Sequence, residues 1–287
     1  MAHITQEGRL ARIQGPGVML VASDLHGNLE DFERLLTLLD REDDAVLLLL
    51  GDLFHGPAAT AEQWAMDYTH LGDFYEDHSV ALMRRLLQES QRRPGKLRSL
   101  LGNHDHAHVG GPVVGKFHRD EAGYMEQQLT QTQLDALHAY LGALPLMAVS
   151  ACGVAFTHGA PPATPFDLDT LNQIDLGAYR DVPIFSMHRR DLLGGLLWRR
   201  GSTPETTQGF LRHLQHATGQ PCGVVCHGHE IVPEGYESED NHLLCLSSSF
   251  GMRRQAKTYL RLDLGACYND AWQLKPGTEL LPLYDPS

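Results

Sequence analysis

Asp24, His26, Asp52, Asn103, His104, His158, His227 and His229 could together do metal chemistry. Each follows an apolar run: VMLVASDLHGN (18–28), LLLLGDLFHGP (47–57), LLGNHDH (100–106), VAFTHGAPP (154–162) and VVCHGHE (224–230). A charge at the end of a buried strand must be paired or must bind a cation. The donors are carboxylate, imidazole and amide, with no thiolate, a set that suits manganese, iron, zinc, cobalt or nickel. A carboxylate between two neutral imidazole groups can bridge two ions. Two ions about 3.5–4 Å apart are the usual device for in-line displacement at phosphorus.

The elements that must hold these residues alternate. Strands are predicted at 18–22, 45–50 and 97–101, with helices over 29–39, 61–67 and 79–91. Leu29, Phe32, Leu35, Leu36 and Leu39 recur on one helical face. A helix over 132–141 leads to strands at 146–149 and 154–157, and a helix over 205–217 precedes a strand at 223–226. The last third reads as strands at 243–246, 258–264 and 271–274. The pattern predicts an α/β fold, a single domain over 1–287, in which two sheets share a core and helices lie outside. In open α/β sheets ligands collect at the carboxyl ends of strands, where all these polar residues fall. The segment 64–78, with Trp64, Tyr68, Phe74 and Tyr75 among acids, reads either as a substrate-recognition insertion or as an amphipathic helix with a loop.

Composition narrows the partners. The apolar fraction is 42% and the net charge −13, which argues against a long polyanionic partner but not against a phosphate substrate held by cations. No apolar run approaches the 18 or so residues needed to span a bilayer, and the first residues carry no apolar signal segment. The five cysteines are odd in number and lack a CxxC spacing, which predicts reduced thiols in a cytoplasmic protein.

DLHGN (24–28), GDLFHG (51–56), LGNHD (101–105), THGAPP (157–162) and HGHEIVPEGYE (227–237) resemble the five blocks of the calcineurin-like metallophosphoesterases, in the family's order. The similarity is greatest to the branch of PPP-type serine/threonine protein phosphatases and diadenosine tetraphosphate hydrolases. The resemblance implies two divalent ions, manganese first. Asp24 and His26 would hold one ion, Asp52 would bridge, and Asn103, His158 and His229 would hold the other. It implies attack by a metal-bridging hydroxide, with His104 as the general acid. Asp105 stands where the family often has Glu or Asp. The last block fits two registers: Gly235-Tyr236-Glu237 sets His229 as the ligand, whereas a Gly-His-x-His register makes both His227 and His229 ligands.

The second block departs from Gly-Asp-x-x-Asp-Arg-Gly. His55 replaces the Asp that would orient the general acid, and Gly56 replaces the phosphate-clamping Arg. A bidentate Arg is not replaced by Gly without cost. His55 is therefore expected near the site, orienting His104 or donating to phosphate. Arg199, Arg200, Arg253 and Arg254 are candidate clamps, or else solvated surface. His106 and His108 read as a solvated loop or as part of the site rim. The leading function is hydrolysis of phosphoproteins or small phosphate monoesters. The alternatives are phosphodiester hydrolysis, favoured by the missing clamp, and dinucleoside polyphosphate hydrolysis.

Overall fold

The structure, a computed structural model, describes residues 1–285. Strands β1 (His3–Glu7), β2 (Leu10–Gln14), β3 (Val18–Ala22), β4 (Ala45–Leu49), β5 (Leu97–Ser99) and β6 (Met147–Ser150) are followed by six more. These are β7 (Val154–Thr157), β8 (Val224–His227), β9 (Tyr236–Asp240), β10 (Leu243–Leu246), β11 (Thr258–Asp263) and β12 (Leu280–Pro282). They form a seven-stranded sheet, β1-β2-β6-β7-β8-β10-β9, and a five-stranded sheet, β12-β11-β3-β4-β5. The fold is α/β, with two mixed sheets flanked by helices, as predicted.

Period-2 alternation decides what each strand buries. Met19 and Val21 of β3, with Val46 and Leu48 of β4, join Phe156, Val224 and Cys226 of the other sheet in one buried layer. Leu20, Leu47 and Leu49 point the other way and pack with Phe32, Leu35, Leu36 and Leu39 of the helix Leu29–Arg41. Strands buried on both faces read as continuous apolar runs, which is why β4 is AVLLL. Burying each such side chain contributes about 1.5–3 kcal/mol relative to leaving it exposed.

Two parallel neighbourhoods matter for the site. β3, β4 and β5 run parallel in one sheet, and β7 and β8 run parallel in the other. Five carboxyl ends therefore open toward one edge of the sandwich.

The helices over 29–41, 79–92, 131–142 and 204–218 lie where periodicity puts them. The predicted strand at 271–274 is instead a 3-10 turn, Ala271–Gln273, capped by the Asp270 side chain on Trp272 N–H. Its four residues, Ala-Trp-Gln-Leu, are too few to separate a turn from a strand. The segment from Trp64 turns as a short π-helical stretch, and buried Trp64 packs with Tyr68, Tyr75 and Phe250. The Tyr75 hydroxyl donates to the His26 carbonyl (2.8 Å), so this segment buttresses the site from behind. No helix among the described residues is long and apolar enough to cross a membrane.

Candidate metal centre

Asp24 and His26 lie just past β3, Asp52 past β4, Asn103 and His104 past β5, His158 past β7 and His229 past β8. Asp24, His26, Asp52, Asn103, His104 and His229 line one cavity of about 400 Å³. Fully buried His158 stands behind it. Tight turns bring the side chains there. Asp24, His26, Asp52, His55 and His229 all have left-handed backbones, with φ between 44° and 72°. Such conformations cost about 1–3 kcal/mol each for a residue with a Cβ, so the surroundings must impose them. Interloop hydrogen bonds do so: Asp24 N–H to Gly51 O (3.2 Å), His26 N–H to Asp52 O (2.9 Å) and Phe250 N–H to Asp24 O (2.9 Å). Glycines make room for the close approach. A Cβ on Gly102 would fall 2.1 Å from Asp52 N, and one on Gly228 would fall 2.5 Å from an Asp24 carboxylate oxygen.

The Asp52 carboxylate sits between two groups. Its Oδ2 is 3.4 Å from His26 Nε2, and its Oδ1 is 3.5 Å from His158 Nε2. On the second side, His158 Nε2 and His229 Nδ1 each lie 2.8 Å from Asn103 Oδ1 and 3.2 Å from each other. His26 donates its Nδ1–H to the His55 carbonyl (3.0 Å), and His158 donates its Nδ1–H to the Leu50 carbonyl (2.9 Å). Both rings therefore turn an Nε2 lone pair inward, the way a metal-ligating histidine is held.

An amide oxygen and imidazole lone pairs converging on one point is an arrangement that a cation resolves. His229 Nε2 is also buried with no hydrogen-bond partner among the described residues. His26, Asp52 and His104 on one side, and Asp52, His158 and His229 on the other, each bring three donor atoms within 4.8 Å of one another, so these residues fit divalent ions. Asp24 lines the cavity, and its Oδ2 accepts the His229 N–H (3.0 Å). Burial pushes the Asp52 carboxyl up, but the charges of His158, His104 and His26 outweigh it and hold the group well below the usual range. Burial raises Asp24, only partly opposed by His158.

His104 is held by a residue that the sequence reading passed over. Its Nδ1–H donates to Glu121 Oε2 at 2.6 Å. The other Glu121 oxygen accepts the N–H groups of Lys116 (2.7 Å) and Phe117 (2.8 Å). Burial works against the Glu121 charge, but the bond to His104 prevails and lowers its pKa.

His55 does not orient His104. Its Nε2 faces His108 Nε2 at 2.9 Å, and it touches the site through its carbonyl on His26. Asp105 is turned away from the cavity. Its carboxylate accepts the N–H groups of Leu53 and Gly102, tying the loop after β4 to the loop after β5. Burial, and then the Asp52 charge, push its carboxyl up to about 7.

His227 does not join either donor group. It is fully buried at the end of β8, and its Nδ1–H donates to the Gly228 carbonyl (2.9 Å). Arg200 lines the cavity and pairs with Glu230, while Arg199 lines an adjoining groove. Arg253 is exposed and lines neither, and Arg254 lies over the Tyr284 ring. His106 is buried rather than solvated, bonded to the Leu176 carbonyl, and burial lowers it to about 4.

Lys116 is the second omission. It lines the cavity with its ammonium 4.3 Å from the Phe250 ring centroid. Burial lowers its pKa, opposed by Asp52 and Asp24. Neither Lys116 nor Glu121 carries a local sequence signal. Both belong to the stretch GKFHRDEAGYME, which reaches the site only by folding back.

Parallel strands from two sheets delivering carboxylate, imidazole and amide donors to one polar cavity are the build of a metal-dependent phosphoric ester hydrolase. The calcineurin-like phosphoesterase family model matches residues 18–233, and the chain belongs to that family. A protein serine/threonine phosphatase from Saccharomyces cerevisiae with similarity to human phosphatase PP5 superposes with a TM-score of 0.55 at 19% identity, covering 82% of this chain and 68% of that one. The cold-active protein-tyrosine phosphatase of a psychrophilic Shewanella species gives 0.57 at 16% identity, covering 91% and 78%. At these identities the likeness is one of fold. No curated protein sequence matches.

Proposed function

We propose that the chain is a dinuclear-metal phosphomonoesterase acting on phosphoproteins or small phosphate monoesters. Asp24, His26 and Asp52 hold one ion; Asp52, Asn103, His158 and His229 hold the other. Manganese is the first candidate for both. The ions supply Lewis acidity and an activated water. His104 protonates the leaving oxygen, and Glu121 positions its ring and fixes its tautomer. Asp105 is a brace between loops rather than a participant. The odd number of cysteines without a CxxC spacing supports a cytoplasmic setting.

The observation that carries the monoester reading is Lys116 beside Asp24, Asp52 and Arg200 in the metal cavity. A monoester dianion asks for more positive charge than a diester, and these two cations stand in for the arginine missing at Gly56. Lys116→Ala is expected to raise KM for a monoester about tenfold or more, and to change KM for a diester less. Equal changes on both substrates would take Lys116 out of the clamp.

A second reading rests on the adjoining groove of about 650 Å³, lined by Phe185, Trp198, Arg199 and Arg200. The Phe185 side chain is 80% exposed there. An aromatic face beside arginines suits a nucleotide, so a dinucleoside polyphosphate would fit metal centre and groove together. The deciding assay uses metal-free protein reconstituted with Mn²⁺. The substrates are p-nitrophenyl phosphate, bis-p-nitrophenyl phosphate, a phosphoserine peptide and diadenosine tetraphosphate. The highest kcat/KM on the monoester or peptide is expected. A highest value on the dinucleotide moves the assignment to the second reading, and one on the diester overturns both. No Mn²⁺-dependent rate on any of the four would end the proposal.

A further inference from the structure

A second group of metal-type donors stands apart from the centre. His108 lies in the 3-10 turn Ala107–Val109, Glu126 closes the helix Glu121–Glu126, and His138 sits on the helix Gln131–Gly142. His108 Nδ1 and His138 Nε2 approach the same oxygen, Oε1 of Glu126, at 2.7 and 2.9 Å. The two rings are 6.3 Å apart and inclined by 50°. The His108 side chain is buried, whereas Glu126 and His138 are 27% and 40% exposed, so the group opens to solvent on one side.

We propose that His108, Glu126 and His138 bind a third divalent cation, for which Zn²⁺ is the best match. Two imidazoles and one carboxylate are a zinc donor set that leaves a fourth position for water. All three donor atoms already lie within 4.8 Å of one another. Zinc–nitrogen bonds of about 2.0–2.1 Å in a tetrahedral site put donors roughly 3.3 Å apart, so the observed contacts need to open by only about half an ångström.

The outer partner is in place as well. His108 Nε2 faces His55 Nε2 at 2.9 Å, with the two rings nearly parallel. A cation on Nδ1 leaves the proton of His108 on Nε2, and His55 then accepts it. A ligating histidine characteristically donates its second ring N–H in this way. His55 is fixed for that task, since its backbone N–H donates to Ser79 Oγ (2.8 Å). This gives a use to the histidine standing where the family places an aspartate.

The consequence for catalysis rests on the function proposed above. Glu126 and Glu121 are the two ends of one short helix. A cation on Glu126 pins that helix to the turn following His104 and so steadies the His104–Glu121 contact.

The test is zinc content per chain, by elemental mass spectrometry. Metal-free protein is incubated with Zn²⁺ and freed of excess by gel filtration. Wild type is expected to hold one more Zn²⁺ than His138→Ala, with Glu126→Gln showing the same deficit. The His138 side chain is 40% exposed, and the zinc that remains in the variant reports that the fold is kept. Equal zinc in wild type and both variants overturns the proposal, because plain ion pairs around Glu126 would give that result. Asp52→Asn reports separately on the dinuclear pair. Undiminished zinc in that variant would sink the pair, while the deficit in His138→Ala would still establish this site.

Discussion

Asp52→Asn is expected to lower kcat by about three orders of magnitude, roughly 4 kcal/mol of barrier, and to reduce bound metal. The two carboxylate oxygens face different donor groups, one toward His26 and one toward His158. An amide keeps the shape but loses the charge, and it turns one face into an N–H donor pointed where a cation would sit. The fold should survive, because the amide oxygen can still accept the His104 N–H that Oδ1 accepts now at 2.9 Å. Metal content, kcat and thermal midpoint are measured together. Full metal content with kcat within tenfold of wild type would remove Asp52 from the bridging position.

His104→Ala separates leaving groups. Proton donation by a positioned side chain contributes about 10²–10⁴-fold, so a loss of that size is expected on an alkyl phosphate. p-Nitrophenolate leaves without much help, so the loss on p-nitrophenyl phosphate should be at least tenfold smaller. Glu121→Gln should show the same selectivity with a smaller loss, because it leaves the imidazole present but less firmly held. Equal losses on both substrates in His104→Ala would count against the acid role, and selective loss without effect of Glu121→Gln would leave His104 acting alone.

The donors could be read from sequence because each stands at a fixed offset from a strand buried on both faces. β3 and β4 are short apolar runs, and the residue type that follows each is the least expected one for packing. The first two strands gave no such cue. HITQE and LARIQ pair as β1 and β2 around a left-handed Gly8, but their alternation is too weak to detect. Glu121 was hidden for a different reason: an acidic residue in the first turn of a helix is ordinary, and only tertiary folding brings it to His104. The same holds for Lys116 and for His138, 30 residues beyond His108 in a different helix. His227 looked equivalent to His229, yet it is still in the β8 ladder, whereas His229 has left it with a φ of 69°. Two positions along the chain separate a residue locked in a sheet from one free to turn toward a ligand.

The centre is suspended across a seam. Asp24, His26, Asp52 and Asn103 leave the five-stranded sheet, while His158 and His229 leave the seven-stranded one. One donor group is thus carried by a single layer and the other straddles two. If one sheet slid an ångström over the other, His26 and Asp52 would stay in step while His158 and His229 drifted away from Asn103. The second half of the centre is a vernier, reading the alignment of layers whose contact is made by Met19, Leu48 and Phe156 beneath it. A methyl group trimmed from that seam would surface first in the spacing of Asn103, His158 and His229, well before the sandwich itself came apart.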